Sequence, residues 1–91
     1  MDPAQRVRRR SEVRHRDIGY QLMLYDPRTR KLHELNETSS HLWSFLVEPR
    51  TTDELVQCLC EHFEVPDEAD VEADVTLVLK QLREADLIED A

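Results

Sequence analysis

Along the first third of the chain, short apolar runs alternate with turn residues at the spacing of β-strands. The run Gln21–Tyr25 is largely apolar, as a central strand should be, and shorter strands Glu12–Arg16 and Lys31–Leu35 are predicted on either side. Gly19 can take a positive φ in the first connection, and Pro27 fixes φ in the second. The pattern therefore predicts a three-stranded antiparallel meander.

From residue 36 onward, apolar residues recur every three or four positions, which predicts helices. Asn36 is a good N-cap for a first helix, and Pro49 ends it. Thr51 and Glu54 are three apart and form a capping box at the start of a second helix. The predicted buried stripes are Leu42, Phe45 and Leu46 in the first helix, Leu55, Val56, Leu59 and Phe63 in the second, and Val71, Val75, Val78, Leu79 and Leu82 in the third.

The ends of the third helix are marked by residues with distinct backbone preferences. Pro66 ends the second helix, and Asp67 can cap the third. Asp86 stands where a left-handed residue would end the helix, after which Leu87–Ile88 can pack back or add a short strand. The predicted fold is α+β and winged helix-turn-helix-like, with a three-stranded antiparallel sheet packed on three helices.

Length and composition confine these elements to one small domain. With 91 residues and 40% apolar content, the chain can build a core of modest size. Because the start is charged and poor in apolar residues, residues 1–10 are predicted to be a flexible basic N-terminus and residues 11–91 the folded domain. No apolar run approaches the roughly 20 residues that span a bilayer, and no secretory signal is recognisable, so a cytoplasmic location is expected.

Charge is divided unequally between the two parts of the chain. Residues 1–33 carry nine Arg or Lys against four Asp or Glu, a net of +5. Residues 34–91 carry three against sixteen, a net of −13, which together give the overall −8. This polarity indicates charged partners, a folded chain whose parts attract each other, or simply a solvated surface of both signs.

Residues that could support catalysis or hold a cofactor form no recognisable motif. A single Gly excludes a glycine-rich phosphate loop, and no serine stands on a nucleophile elbow. The four histidines fall in separate elements and are better explained as surface or half-buried side chains. Cys58 and Cys60 should diverge on a helix without a disulfide, and Cys58 with His62 supplies too few ligands for zinc. The sequence therefore predicts no enzyme activity, no cofactor and no metal.

The residues alone leave three interpretations of binding open. A winged-helix fold suggests DNA binding, but the third-helix region carries six acidic residues against Lys80 and Arg83, which repels phosphate. Peptide binding is the alternative, because Lys31–Leu35 can form a sheet edge with unpaired N–H and C=O groups, and Leu77 lies outside the buried stripe. A regulatory subunit that binds only its partner enzyme is a third interpretation.

The order of several short segments resembles the PqqD-like family of small winged-helix modules. The resemblance covers Leu22–Ile88, about three quarters of the chain. Glu48–Pro49 stands where the family commonly has Asp-Gly, and Asp86 where it commonly has Gly, which bears on subfamily more than on class. The matching segments are Leu24–Pro27, Leu35–Thr38 with Leu42–Trp43, Arg50–Thr51 with Glu54–Leu55, Val71–Val75, and Leu82 with Leu87–Ile88.

The resemblance implies a non-catalytic module that binds the leader of a ribosomally synthesised precursor peptide as an added strand. It would present the leader to a modifying enzyme, such as a radical SAM protein or a leader peptidase. The asymmetric charge of the chain suggests in addition that basic groups on the leader meet the acidic third helix, while the basic N-terminal region docks the enzyme. Neither nucleic acid nor a membrane is expected as a partner, whereas a free sheet edge would allow a homodimer. Carried onto this chain, the peptide-binding residues would be Lys31, Leu32, His33, Glu34, Asp70, Asp74, Leu77, Val78 and Gln81.

Overall fold

The computed structural model describes residues 5–19, 21–62 and 70–91, which form five strands and three helices. In chain order these are strands β1 (Val7–Arg9), β2 (Arg14–Ile18), β3 (Gln21–Asp26) and β4 (Lys31–Glu34), helices α1 (Glu37–Phe45), α2 (Thr52–His62) and α3 (Val71–Glu84), and strand β5 (Ile88–Asp90). Strands β2, β3 and β4 form an antiparallel sheet in that order, and β1 pairs with β5 in a second sheet. The predicted α+β fold, with three helices and a three-stranded antiparallel sheet, is confirmed.

The N-terminal segment contains a strand where the sequence predicted flexibility. Val7, in β1, is 1% exposed, and its N–H donates to the Arg50 carbonyl at 2.9 Å. Strand β1 also runs antiparallel to β5, so that the two ends of the described chain pair with each other. This strand was not predicted from the sequence, because a single valine among arginines lacks the apolar run that indicates a buried element. Regular structure therefore begins before residue 11.

The two oppositely charged parts of the chain pair with each other. The N-terminal arginines form ion pairs with carboxylates from the acidic part, and these groups are exposed or half-buried, so each pair contributes little by itself. Of the three interpretations of the charge polarity, attraction within the folded chain is therefore the one that the structure shows. The pairs are Arg6–Glu54, Arg8–Glu89 and Arg10–Asp86, with N···O distances of 2.7, 3.2 and 2.7 Å.

The core lies between the inner face of the sheet and the helices. In α3, the buried stripe follows the predicted spacing, with Val71 half-buried at its start. Phe63, predicted to continue the stripe of α2, lies outside the described residues. Across the described ranges, no helix is long and apolar enough to cross a membrane. The largest fully buried apolar side chains are Trp43, Leu24, Leu42, Leu46, Leu55, Leu79, Leu87, Ile88, Val7 and Val75.

Local capping chemistry sets the start of each helix. The Asn36 side chain accepts a hydrogen bond from the Ser39 N–H at 2.8 Å, as expected of an N-cap. Thr51 and Glu54 exchange the two bonds of a capping box, at 3.1 and 3.2 Å. Helix α3 begins after Asp70, whose carboxylate accepts from a backbone N–H at 3.0 Å. Pro66 and the predicted cap Asp67 lie outside the described residues.

Two turns have the backbone conformations that the sequence predicted. Asp86 has a φ of 60° and ends α3 in the left-handed region. Gly19 has a φ of 79° after β2, and that strand runs to Ile18, two residues beyond its predicted end. Cys58 and Cys60 are both free, in agreement with the absence of a predicted disulfide between them.

Helix α1 is attached to the sheet by the buried hydroxyl group of Ser40. The Leu22 N–H donates to Ser40 Oγ at 2.9 Å, and this hydroxyl donates to the Leu35 carbonyl at 3.4 Å. The Leu35 N–H donates directly to the Leu22 carbonyl at 2.9 Å. The hydroxyl therefore bridges one of the two bonds that this antiparallel pair would otherwise exchange. It holds the end of β4 in register against β3, at the point where the chain enters α1.

The turn between β3 and β4 is held by a buried carboxylate. The Asp26 side chain is 1% exposed and accepts from Arg28 Nη2 at 2.8 Å and Arg28 Nε at 3.0 Å. The Arg28 N–H also donates to the same carboxylate at 3.0 Å. Arg28 Nη2 donates in addition to the Asp86 carbonyl at 2.7 Å. One guanidinium thus connects the start of β4 to the end of α3.

Acid is expected to loosen this connection. Hydrogen bonds from Arg28, partly opposed by burial, hold the pKa of the Asp26 carboxyl below its ordinary value of 3.8. Because the folded pKa is the lower one, Asp26 stabilises the fold above pH 3.8, and this contribution is lost as the pH falls through the folded pKa. Urea unfolding midpoints measured below about pH 4 should therefore fall more steeply for the unaltered protein than for Asp26→Asn. Equal slopes would show that other carboxyl groups carry the acid sensitivity.

Candidate functional site

Strand β4 is an edge of the three-stranded sheet, and within the described ranges no strand pairs with its outer side. The hydrogen bond from the Leu35 N–H to the Leu22 carbonyl shows which residues of β4 bond to β3 and which direct their backbone groups away from it. Since backbone groups alternate between the two sides of an antiparallel strand, His33 directs its N–H and C=O to β3. Leu32 and Glu34 direct theirs outward. The outer edge of β4 therefore offers donors and acceptors at alternate residues to an added strand.

An open cleft of about 480 Å³ lies between the edge of β4 and helix α3. Its α3 wall is one face of the helix, because the residues recur at spacings of three and four. Val78, Leu82 and Leu87 are buried core residues and make the floor apolar, whereas Glu34 and Gln81 are exposed and polar. The lining residues are Leu32, His33, Glu34, Leu35, Asn36, Ser39, Val78, Gln81, Leu82, Ala85 and Leu87.

The structure brings part of the predicted peptide-binding set together in this cleft. The predicted residues that line it are Leu32, His33, Glu34, Val78 and Gln81. The predicted residues that do not line it are Lys31, Asp70, Asp74 and Leu77. No peptide is bound, so the role of all nine residues stays a prediction.

The length of α3 explains why three of the predicted residues, Asp70, Asp74 and Leu77, lie outside the cleft. Asp70, Asp74 and Leu77 share a helical row with Gln81 but lie nearer the start of the helix. The distance along the axis from Asp70 to Gln81 is about 16 Å, whereas a four-residue strand such as β4 spans only about 13 Å. Periodicity placed these residues in one row but could not show which part of that row faces the strand. Asp70 has a local role as well, since its carboxylate caps α3.

Several residues that line the cleft were not predicted from the sequence. Ala85 follows Gln81 by four positions and Val78 by seven, so the helical row could have been extended to it. Ser39 had no comparable signal, because it lies on α1 and no pattern in the sequence indicates that α1 borders this cleft. The missed lining residues are Leu35, Asn36, Ser39, Leu82, Ala85 and Leu87.

The charge around α3 is negative. Glu72, Asp74 and Glu84 are exposed on the helix, and Lys80 is an exposed cation beside them. This surface repels the phosphates that a DNA-reading helix must contact. Among the described residues, no group of three or more His, Cys, Asp or Glu side chains could hold a metal ion. The exposed surface of α3 beside the cleft therefore favours basic side chains, and the buried floor of the cleft favours apolar ones.

Comparison with known proteins places this geometry in a family. Residues 21–88 match the model of the family described as coenzyme PQQ synthesis protein D (PqqD). No curated protein sequence matches this chain. The matched range runs from the start of β3 to the first residue of β5, and therefore contains both walls of the cleft.

Two solved structures are similar over nearly the whole chain. The structure of TbiB1 in complex with the TbiA(beta) leader peptide is 27% identical, with a TM-score of 0.77 over 90% of this chain and 94% of that one. The structure of lasso peptide synthetase B1 complexed with the leader peptide is 24% identical, with a TM-score of 0.73 over 91% and 96% of the two chains, and supports the fold alone. Because the family model covers well over half of its residues, this chain belongs to the PqqD family, as the sequence pattern predicted.

Proposed function

We propose that this chain is a non-catalytic module that holds the leader of a ribosomally synthesised precursor peptide and presents it to a modifying enzyme. The observation that carries the proposal is the edge of β4, which no described strand covers, beside a cleft whose floor on α3 is apolar. Membership of the PqqD family and the similarity to TbiB1, which was solved with a leader peptide, support it.

The leader would bind as a fourth strand of the sheet. Its backbone would pair with the outward N–H and C=O groups of Leu32 and Glu34, which gives affinity for many sequences. Alternate side chains of an added strand point to the same face, so every second leader residue would enter the cleft. The buried floor around Val78 and Leu82 favours apolar side chains there. Backbone pairing would thus supply affinity, and the cleft would supply selectivity.

The residues outside the cleft would extend the binding surface to a longer leader. Asp74 and Leu77 continue the row of Gln81 towards the start of α3, and Leu77 is 54% exposed. Asp70 and Lys31, which the sequence predicted to take part, would contact only a leader that runs beyond the cleft. Basic leader side chains would be attracted by the exposed carboxylates of α3.

The partner enzyme in this proposal is a radical SAM protein or a leader peptidase, and the chain itself supplies no catalytic group or cofactor. Holding the leader near the enzyme raises the effective concentration of the substrate segment attached to it. The setting would be the cytoplasm, where the two free cysteines stay reduced. A DNA-binding regulator is less well supported, because the exposed surface of α3 is acidic.

A nuclear magnetic resonance titration tests the proposal. Labelled protein is titrated with a synthetic leader of the precursor encoded beside this chain, and with a scrambled peptide of the same composition. Shifts should concentrate at residues 32–35 and 78–87 with the leader only. An absence of shifts in a folded protein would reject leader binding and favour a subunit that contacts only its enzyme. Shifts confined to another surface would reject the strand-addition site.

A further inference from the structure

The face of the β2–β3–β4 sheet that points away from the helices carries exposed apolar side chains. Directly opposite residues on neighbouring strands share a face, and the register places Arg14 opposite Tyr25, Arg16 opposite Met23, and Tyr25 opposite Leu32. Ile18 is 41% exposed, Tyr25 38% and Leu32 65%. We call the surface formed by Arg14, Arg16, Ile18, Met23, Tyr25 and Leu32 the outer sheet face. The same register places Gln21, opposite Ile18, and Glu34, opposite Met23, on this side of the sheet as well.

This composition is unusual for a solvated sheet surface. An antiparallel sheet with one buried face normally turns polar side chains to water on the other. Here Met23, Tyr25 and Leu32 turn outward while Leu22 and Leu24 fill the core. Together with β2 they surround an open depression of about 410 Å³. Exposed apolar side chains that line one depression are a candidate interaction surface.

Two exposed arginines that form no ion pair with the described residues lie on the same face. Arg6, Arg8 and Arg10 are bound to carboxylates of this chain, so the N-terminal region offers less charge than its sequence suggests. Arg14 and Arg16 form no ion pair with any of the described residues, and both are exposed. The docking role that the sequence favoured for the N-terminal region is therefore better suited to β2.

We infer that the outer sheet face docks the modifying enzyme, through an enzyme surface with an apolar centre and carboxylates at its rim. This inference rests on the proposed function, since it assigns the partner of the same module. The arginines would orient the encounter, and Ile18, Met23 and Tyr25 would supply the buried centre. Two arginines around an apolar centre do not form the extended row of cations that a nucleic-acid backbone requires.

The outer sheet face and the leader site are geometrically separate. The leader would pair along the edge of β4, in the plane of the sheet, whereas the enzyme would cover the sheet from above. Only Leu32 lines both the cleft and the depression on the outer sheet face. Both partners can therefore be held at once, which presentation of a bound leader requires.

Affinity for the purified modifying enzyme encoded beside this chain tests the inference, measured by calorimetry for single variants. Arg16→Glu and Ile18→Asp should each weaken enzyme binding by about tenfold or more. The matched controls are Lys80→Glu, a charge reversal on α3, and Val47→Asp, since Val47 is 61% exposed outside the outer sheet face. Both controls should bind the enzyme as the unaltered protein does, and Arg16→Glu, Ile18→Asp and Val47→Asp should keep its leader affinity.

Several outcomes would overturn the inference. They are an unaltered protein that does not bind the enzyme, outer-face variants that bind normally, and controls that weaken binding equally. A dimer in sedimentation that Ile18→Asp dissociates would assign the face to a second copy, and duplex DNA binding lost in Arg16→Glu would assign it to nucleic acid. If the variants change enzyme binding as expected but the protein binds no leader, the docking surface is supported and the leader-binding function is rejected.

Discussion

Leu32→Pro is expected to abolish most leader binding while the domain stays folded. The N–H of Leu32 points away from β3, so proline removes a donor from the free edge and none from the existing ladder. The ring also occupies space that an incoming strand needs. We expect the affinity for a fluorescently labelled leader, measured by anisotropy, to fall by about tenfold or more.

The neighbouring variants separate backbone pairing from side-chain contact. Leu32→Ala keeps the outward N–H and should retain most of the affinity, although it removes the same side chain. His33→Pro removes a donor that faces β3, and should lower the urea unfolding midpoint instead. If Leu32→Pro binds the leader as tightly as Leu32→Ala, the peptide does not add to the edge of β4.

Trp43→Ala is expected to produce the largest loss of stability of any single substitution in this chain. Trp43 has no exposed surface and packs where α1 meets the core, and the Arg9 guanidinium lies 5.7 Å from its ring centroid. Truncating a buried tryptophan costs about 3–5 kcal/mol, through lost burial and the cavity that remains. A small domain has a total unfolding free energy of only about 5–15 kcal/mol, so much of the population could unfold.

Urea unfolding followed by circular dichroism measures this effect, because the variant lacks the only tryptophan of the chain. Trp43→Phe leaves a smaller cavity and provides a measurable intermediate case if Trp43→Ala does not fold. Val47→Ala, at an exposed position, should change the unfolding free energy by no more than about 0.5 kcal/mol. A loss below about 1 kcal/mol for Trp43→Ala would contradict the assignment of Trp43 to the centre of the core.

The geometry of the proposed leader site and the stability of the fold depend on the same two contacts. Ser40 holds the end of β4 against β3, and Arg28 links the turn before β4 to the end of α3. The two walls of the cleft are thus set by contacts that lie at opposite ends of β4. A substitution at either contact would alter the width of the cleft as well as the stability of the domain.

The sequence alone determined the elements whose causes are local. The N-cap at Asn36, the capping box of Thr51 with Glu54 and the left-handed Asp86 each depend on groups within four residues along the chain. The buried stripe of α3 could also be predicted from the sequence, because residues on one face of a helix recur at a constant period. The fold class followed from signals of this kind, whereas the family followed from a resemblance in the order of short segments.

The tertiary structure decided everything that depends on distant partners. Strand β1 exists because Val7 pairs with Asp90 and is buried, a contact between opposite ends of the chain that no local pattern indicates. The packing of α3 selected Val78, Gln81 and Ala85 for the cleft and left Asp74 outside it. Ion pairs hold Arg6, Arg8 and Arg10, whereas Arg14 and Arg16 have none with the described residues. Helix period gives the direction of a side chain, but only the packed arrangement determines what that side chain meets.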